Sequence, residues 1–192
     1  MTTDVAFDPL ADLLAEQEAR PAGLAPVDPA SLSPYERALL VTDGTVTKFI
    51  EAYRLEPVQV ELLGQETHDL AKDSRWLEAP AGTPVIARQV ILRGQDSGTA
   101  YAYASSRLVH DRLPPFVRAQ LERDPHGIGH ILLESRLETF REVLWYGQER
   151  LERPPQALAH LAGQVFTSRT YRIFAGGHPL MLINETFPPN VD

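Results

Sequence analysis

The feature that most limits how this chain can fold is that its strand-like segments come in pairs, each closed by a short glycine turn. Residues 85–92 and 99–109 read as two strands joined through Gly94-Gln95-Asp96-Ser97-Gly98, and residues 167–174 and 180–187 as two more closed at Gly176-Gly177. A period of two marks a strand with one buried face, and a short glycine turn sends the chain back beside itself as a hairpin. Two more segments, 58–62, where Val58, Val60 and Leu62 alternate with Gln59 and Glu61, and 137–146, bring the count to about six strands. Helical patterning lies between them. Ser33-Pro34 supplies an N-cap and a first-turn proline, Asp43-Gly44 interrupts, and 46–54, 113–122, 131–134 and 154–161 follow. Residues 66–84, polar and holding Gly and Pro, read as a loop, and Asp124 to Gly129 as a turn. Strands arriving in hairpins rather than singly between helices place the chain in the α+β class. The expected architecture is a single domain, an antiparallel sheet covered by helices. At 192 residues such a domain buries roughly 70% of its unfolded surface, enough to enclose an internal ligand cavity.

The first 32 residues differ in composition. Pro9, Pro21, Pro26 and Pro29 punctuate an alanine-rich stretch in which only 11–20 has a helical pattern. Residues 1–32 therefore read as a Pro/Ala-rich N-terminal arm with one short helix, and 33–192 as the domain. A formal charge of -8 argues against nucleic acid or an anionic membrane as partner, since both need a basic surface. A small anionic substrate would need arginines placed locally among apolar residues. The absence of cysteine removes disulfides, thiolate metal sites and cysteine nucleophiles. No stretch approaches the ~18 apolar residues of a membrane span, and residues 1–20 lack a basic segment followed by an apolar run. The expectation is a cytoplasmic protein, monomer or homodimer.

Two charges stand out against this background. In the last strand Met181, Ile183, Glu185 and Phe187 share a face, so a carboxylate sits in an apolar row. Buried there, it must find a cation or hydrogen bonds, or take up a proton. In 85–92, Ile86, Arg88, Val90 and Leu92 share a face, placing a guanidinium fork among aliphatics. Arg88 could pair with Glu185 or receive a ligand carboxylate. Arg107 follows Tyr101 and Tyr103 on one face of its strand, opposite the small residues Ala100, Ala102, Ala104 and Ser106. It is either a solvent-face arginine or a second carboxylate clamp. His126 and His130 are four residues apart, but Gly127 and Gly129 between them spoil a helix and no acidic ligand stands at a recognised offset, so no metal site is expected. Neither a dinucleotide fingerprint, a P-loop nor a nucleophile elbow is present.

In order, LLVTDGTVTKFIEAY, VIARQVILRG, the Arg107 strand, HGIGHILLES and RTYRIFAGGHPLMLINETFP resemble the segments of the chorismate pyruvate-lyase (4-hydroxybenzoate synthase) family, over about residues 34–189. The resemblance implies a six-stranded antiparallel sheet whose cavity lies beneath two helix-turn-helix flaps. It implies a cofactor-free lyase acting on a small aromatic or cyclohexadienyl carboxylate, converting chorismate to 4-hydroxybenzoate and pyruvate. On this resemblance Arg88 grips the ring carboxylate and Glu185 contacts the 4-hydroxyl and handles the proton. Ile128 and Gly129 meet the carboxylate through the backbone, Val46 is an apolar flap residue, and Arg107 is suited to the enolpyruvyl carboxylate. The same fold also serves diverged biosynthetic enzymes and the small-acid-binding effector domains of certain regulators. The latter carry a DNA-binding module, for which the acidic arm is too short and too negative.

Overall fold

The paired segments form one six-stranded antiparallel sheet in a computed structural model of the protein, which describes Leu10 and residues 12–123 and 127–189. Its strands are β1 (Val58–Asp69), β2 (Pro84–Gly94), β3 (Ala100–Val109), β4 (Phe140–Arg150), β5 (Val165–Ala175) and β6 (His178–Phe187), in the order β1-β2-β3-β6-β5-β4. The meander β1-β2-β3 and the meander β4-β5-β6 join where β3 pairs with β6. That central pairing puts Glu185 opposite Ala104, with a strand on each side.

Four helices cover one face: α1 (Pro34–Val41), α2 (Val46–Arg54), α3 (Pro115–Arg123) and α4 (Ile128–Ser135). α1 starts with a complete capping box, the Glu36 N–H donating to Ser33 Oγ at 3.2 Å and the Ser33 N–H to Glu36 Oε2 at 2.9 Å. Two of the four N–H groups that every helix start leaves unpaired in its first turn, or just before it, are satisfied by such an arrangement. Ser33→Ala is expected to lower stability by about 1 kcal/mol in urea unfolding. A value near zero would mean water replaces the cap.

Two hydrophobic clusters anchor the helices. Tyr35 and Leu39 of α1 and Val46 and Ile50 of α2 pack on Leu92, Ala102 and Phe187. Val117 and Leu121 of α3 and Ile131 and Leu132 of α4 pack on Ile86, Leu108, Met181 and Ile183. Each fully buried aliphatic side chain contributes roughly 1.5–3 kcal/mol. The other face of the sheet is covered in pieces, by Leu77 and Ala79 of the loop 70–83, by Leu24 of the arm, and by Leu158 of the 3₁₀ segment Gln156–Leu161.

Several expectations are corrected. The helix expected at 11–20 is absent from its described residues apart from a 3₁₀ turn, Gln17–Ala19. Its backbone is used elsewhere: the Ala15 and Glu16 N–H groups donate to Val143 and Leu144 carbonyls of β4 at 2.9 and 3.0 Å, and Ala25 bridges to Gln148. Leu10 and Leu32 then bury against Leu40 and Tyr146. A Cβ on Gly147 would lie 2.5 Å from the Ala25 carbonyl, so only glycine lets the arm approach so closely. β1 runs to Asp69, beyond the expected 58–62, pairing with β2 all the way to Pro84. As an edge strand with much of its length exposed, it needs no apolar alternation there. Ile128 and Gly129, read as a turn, open α4 instead. The 154–161 helix is 3₁₀ over Gln156–Leu161.

Candidate active site

Antiparallel register brings residues from all six strands into rows on the helix-covered face. One row runs Gln65, Arg88, Ser106, Ile183, Tyr171, Val143 across the sheet. The next, two residues along, runs Val90, Ala104, Glu185, Arg169, Tyr146. Arg88 and Glu185 are thus two strands apart laterally and two residues apart lengthwise, which puts their Cα atoms about 12 Å from each other on standard strand spacings. Ser106 and Ala104, both small, form the floor between them.

The roof is made by the turn into α2 and by the start of α4. Arg88, Glu185, Val46, Ile128 and Gly129 line one pocket, together with Val90, Leu92, Ile173, Ile183, Tyr171 and Arg141. The pocket lies at the seam between the two helix clusters. The roof is tight, because a Cβ on Gly129 would stand 2.8 Å from Thr45 Cγ2. Arg107 does not belong to this pocket. It pairs with Ala87 and Leu182 and faces the opposite side of the sheet, in a groove with Trp145, Thr170 and Asn184. The reason is strand parity, since Ser106 already points to the helix side and its neighbour must point away.

Glu185 is met by two donors, neither of them Arg88. Arg169 Nε donates to Oε2 at 2.8 Å and the Tyr171 hydroxyl donates to Oε1 at 3.0 Å. The pair is deeply buried, with side-chain exposures of 1% for Arg169 and 9% for Glu185. Arg169 Nη1 also donates to the Leu40 and Thr42 carbonyls at 3.1 and 2.9 Å, tying the end of α1 to the same carboxylate. Burial, and next the Glu185 charge, hold the Tyr171 hydroxyl pKa well above its ordinary value, so it stays a donor. A carboxylate has about four acceptor positions, so the two donors leave Glu185 able to accept from a ligand hydroxyl. Arg88, 2% exposed, is steadied by Gln65 Oε1 at 3.5 Å. Arg141 Nη1 donates to the Asp43 carbonyl at 2.9 Å in the turn between α1 and α2.

Arg169 and Tyr171 carry as much of the site as the residues the sequence singled out. The signal that flagged Glu185 was available for them too, because Thr167, Arg169, Tyr171 and Ile173 share a strand face. Arg141 had no such signal. Replacing a buried ion pair by aliphatic residues is often neutral or stabilising by about 1–4 kcal/mol, so charges kept at the centre of a core point to function.

His130 forms an ion pair with Glu134 at 3.1 Å, while His126 lies outside the described residues. Among the described residues no three His, Asp or Glu side chains converge on one point, and no helix is long and apolar enough to cross a membrane. The arrangement suits a small flat acid, with a guanidinium at one end, a hydrogen-bond-accepting carboxylate at the other and apolar walls between.

An antiparallel sheet carrying such a pocket beneath two helical caps defines the class as a chorismate-lyase-like α+β domain. The chain belongs to the family described as Chorismate pyruvate-lyase Rv2949c-like, whose model matches residues 40–192. A chorismate pyruvate-lyase of Mycobacterium leprae is 31% identical over 153 residues, covering 79% of this chain and 72% of the relative. One from Mycobacterium tuberculosis is 27% identical over 159 residues, covering 79% and 78%. Among solved structures, PhnF from Mycobacterium smegmatis superposes with a TM-score of 0.59 at 12% identity, covering 78% of this chain and 66% of that one. Its effector domain gives 0.57 at 12% identity, covering 87% and 93%. These last two likenesses establish the fold.

Proposed function

We propose that the protein is a cofactor-free lyase that converts chorismate to 4-hydroxybenzoate and pyruvate. The observation that carries this reading is that Arg88 and Glu185, two strands apart, line one pocket in a chain of the chorismate pyruvate-lyase family. Arg88 takes the ring carboxylate in its planar fork, and Glu185 accepts a hydrogen bond from the 4-hydroxyl. The bond from C3 to the ether oxygen breaks, its electron pair leaves with enolpyruvate, and C4 gives up its hydrogen as the ring becomes aromatic. Enolpyruvate takes a proton at its methylene carbon and becomes pyruvate.

Held by Arg169 and Tyr171, Glu185 is arranged to receive the C4 proton rather than to donate one at the start. Alignment of the breaking bonds by fixing both ends of the ring contributes several kcal/mol. The test follows pyruvate release from chorismate with a coupled dehydrogenase. Turnover above the uncatalysed rate is the expected result, with 4-hydroxybenzoate in equal amount. Binding of 4-hydroxybenzoate without any pyruvate release would reassign the pocket to a ligand-binding role.

A further inference from the structure

Among its described lining residues the pocket carries one carboxylate and two guanidiniums. Glu185 is met by Arg169, behind it on β5. Two further guanidiniums line the pocket, Arg88 from β2 and Arg141 from β4. Four strand spacings separate β2 from β4 in the sheet, so these two cations approach from opposite sides and do not form one cluster. A single carboxylate engages one of them at a time.

Arg141 is half-buried and no carboxylate stands within ion-pair distance of it among the described residues. The partner it has is neutral, the Asp43 carbonyl. That carbonyl belongs to the turn whose next residues, Gly44, Thr45 and Val46, roof the pocket. A guanidinium has five N–H donors in a fixed fork, and a charged acceptor binds it roughly twice as strongly as a neutral one. An anion reaching this side of the pocket would therefore outcompete the carbonyl.

We propose that Arg141 is the second carboxylate anchor of the pocket, exchanging its bond to the Asp43 carbonyl for the side-chain carboxylate of a dicarboxylate ligand. This rests on the lyase reading and makes it more specific. The ring carboxylate sits on Arg88 and the enolpyruvyl carboxylate on Arg141, and after cleavage each product keeps its own arginine. As pyruvate leaves, Arg141 returns to the turn between α1 and α2 and re-ties the roof. The pocket accordingly prefers a dianion to a monoanion of the same ring size.

The test is calorimetric binding of two unreactive aromatic acids to the full-length protein and to Arg141→Gln. One is 4-hydroxybenzoate, with a single carboxylate. The other is 3-(1-carboxyethenyloxy)benzoate, which adds the enolpyruvyl carboxylate. Gln retains a donor for the Asp43 carbonyl. Arg141→Gln is expected to weaken the dicarboxylate about tenfold or more and 4-hydroxybenzoate by less than about threefold. Arg141→Lys, which keeps the charge, should recover part of the dicarboxylate affinity. Equal losses for both ligands, no loss for either, or failure of the wild-type protein to bind the dicarboxylate would each overturn the assignment. Neither arm needs turnover. Discrimination without pyruvate release would sink the lyase reading alone, whereas turnover with an unchanged Arg141→Gln profile would sink this one alone.

Discussion

Glu185→Ala is expected to destabilise the fold by about 3–5 kcal/mol, because it strands the Arg169 guanidinium, 1% exposed, without a counter-charge. Equilibrium urea unfolding followed by circular dichroism reads this directly. Arg169→Ala should cost a similar amount, and Glu185→Leu combined with Arg169→Met much less than the sum of the two single losses, since contacting charges are not additive. A single-variant loss below about 1 kcal/mol would mean that water reaches the pair. Chemistry needs a gentler change. Glu185→Gln preserves shape and an acceptor for Arg169 but not basicity, so kcat should fall about 10²–10⁴-fold while the protein stays folded. A Gln variant with undiminished turnover would remove Glu185 from the proton path.

Arg88→Ala is expected to weaken 4-hydroxybenzoate binding by about 2–5 kcal/mol, at least about thirtyfold, since the ligand carboxylate would then be buried without a cation. Arg88→Lys should recover little, because a point charge does not replace the planar fork. Titration of the product into each variant checks both statements. An Ala variant that binds the product normally would show that the carboxylate lies elsewhere, with Arg141 the next candidate.

Which of these residues could be read from the sequence depended on how regular their strands are. β2 runs without a register shift from Val85 to Leu92 and β6 from Met181 to Phe187, so the facing of Arg88 and Glu185 followed from the two-residue period alone. The Arg169 row of β5 is equally regular, but the pairing of Glu185 with Arg169 rather than Arg88 depends on strand order, which alternation does not specify. β6 lies between β3 and β5, whereas Arg88 is one strand further out.

Arg141 was hidden by a bulge. The register of β4 shifts between Val143 and Trp145, so Tyr146 and Val143 point to the same side although their spacing is odd. An inserted residue reverses every facing assignment beyond it. Arg107 shows the converse: its own strand gave the correct face, opposite Ser106, but the prospect of a second carboxylate clamp and then the resemblance drew it toward the pocket. The arm escaped a sequence reading because its hydrogen bonds go to β4, some 130 positions away, and local helical pattern lost to that pairing.

The arm's contact with β4 also bears on how the protein behaves in crowded solution. β4 is an outer strand of the sheet, and unpaired N–H and C=O groups on such a strand offer a template to any other extended chain. The N–H groups of Ala15 and Glu16, with the Ala25 bridge, occupy part of that template from within the same molecule. The described part of the arm, which lines no part of the pocket, therefore acts as a guard against self-association, and a shortened chain lacking residues 12–32 would carry an adhesive border in its place.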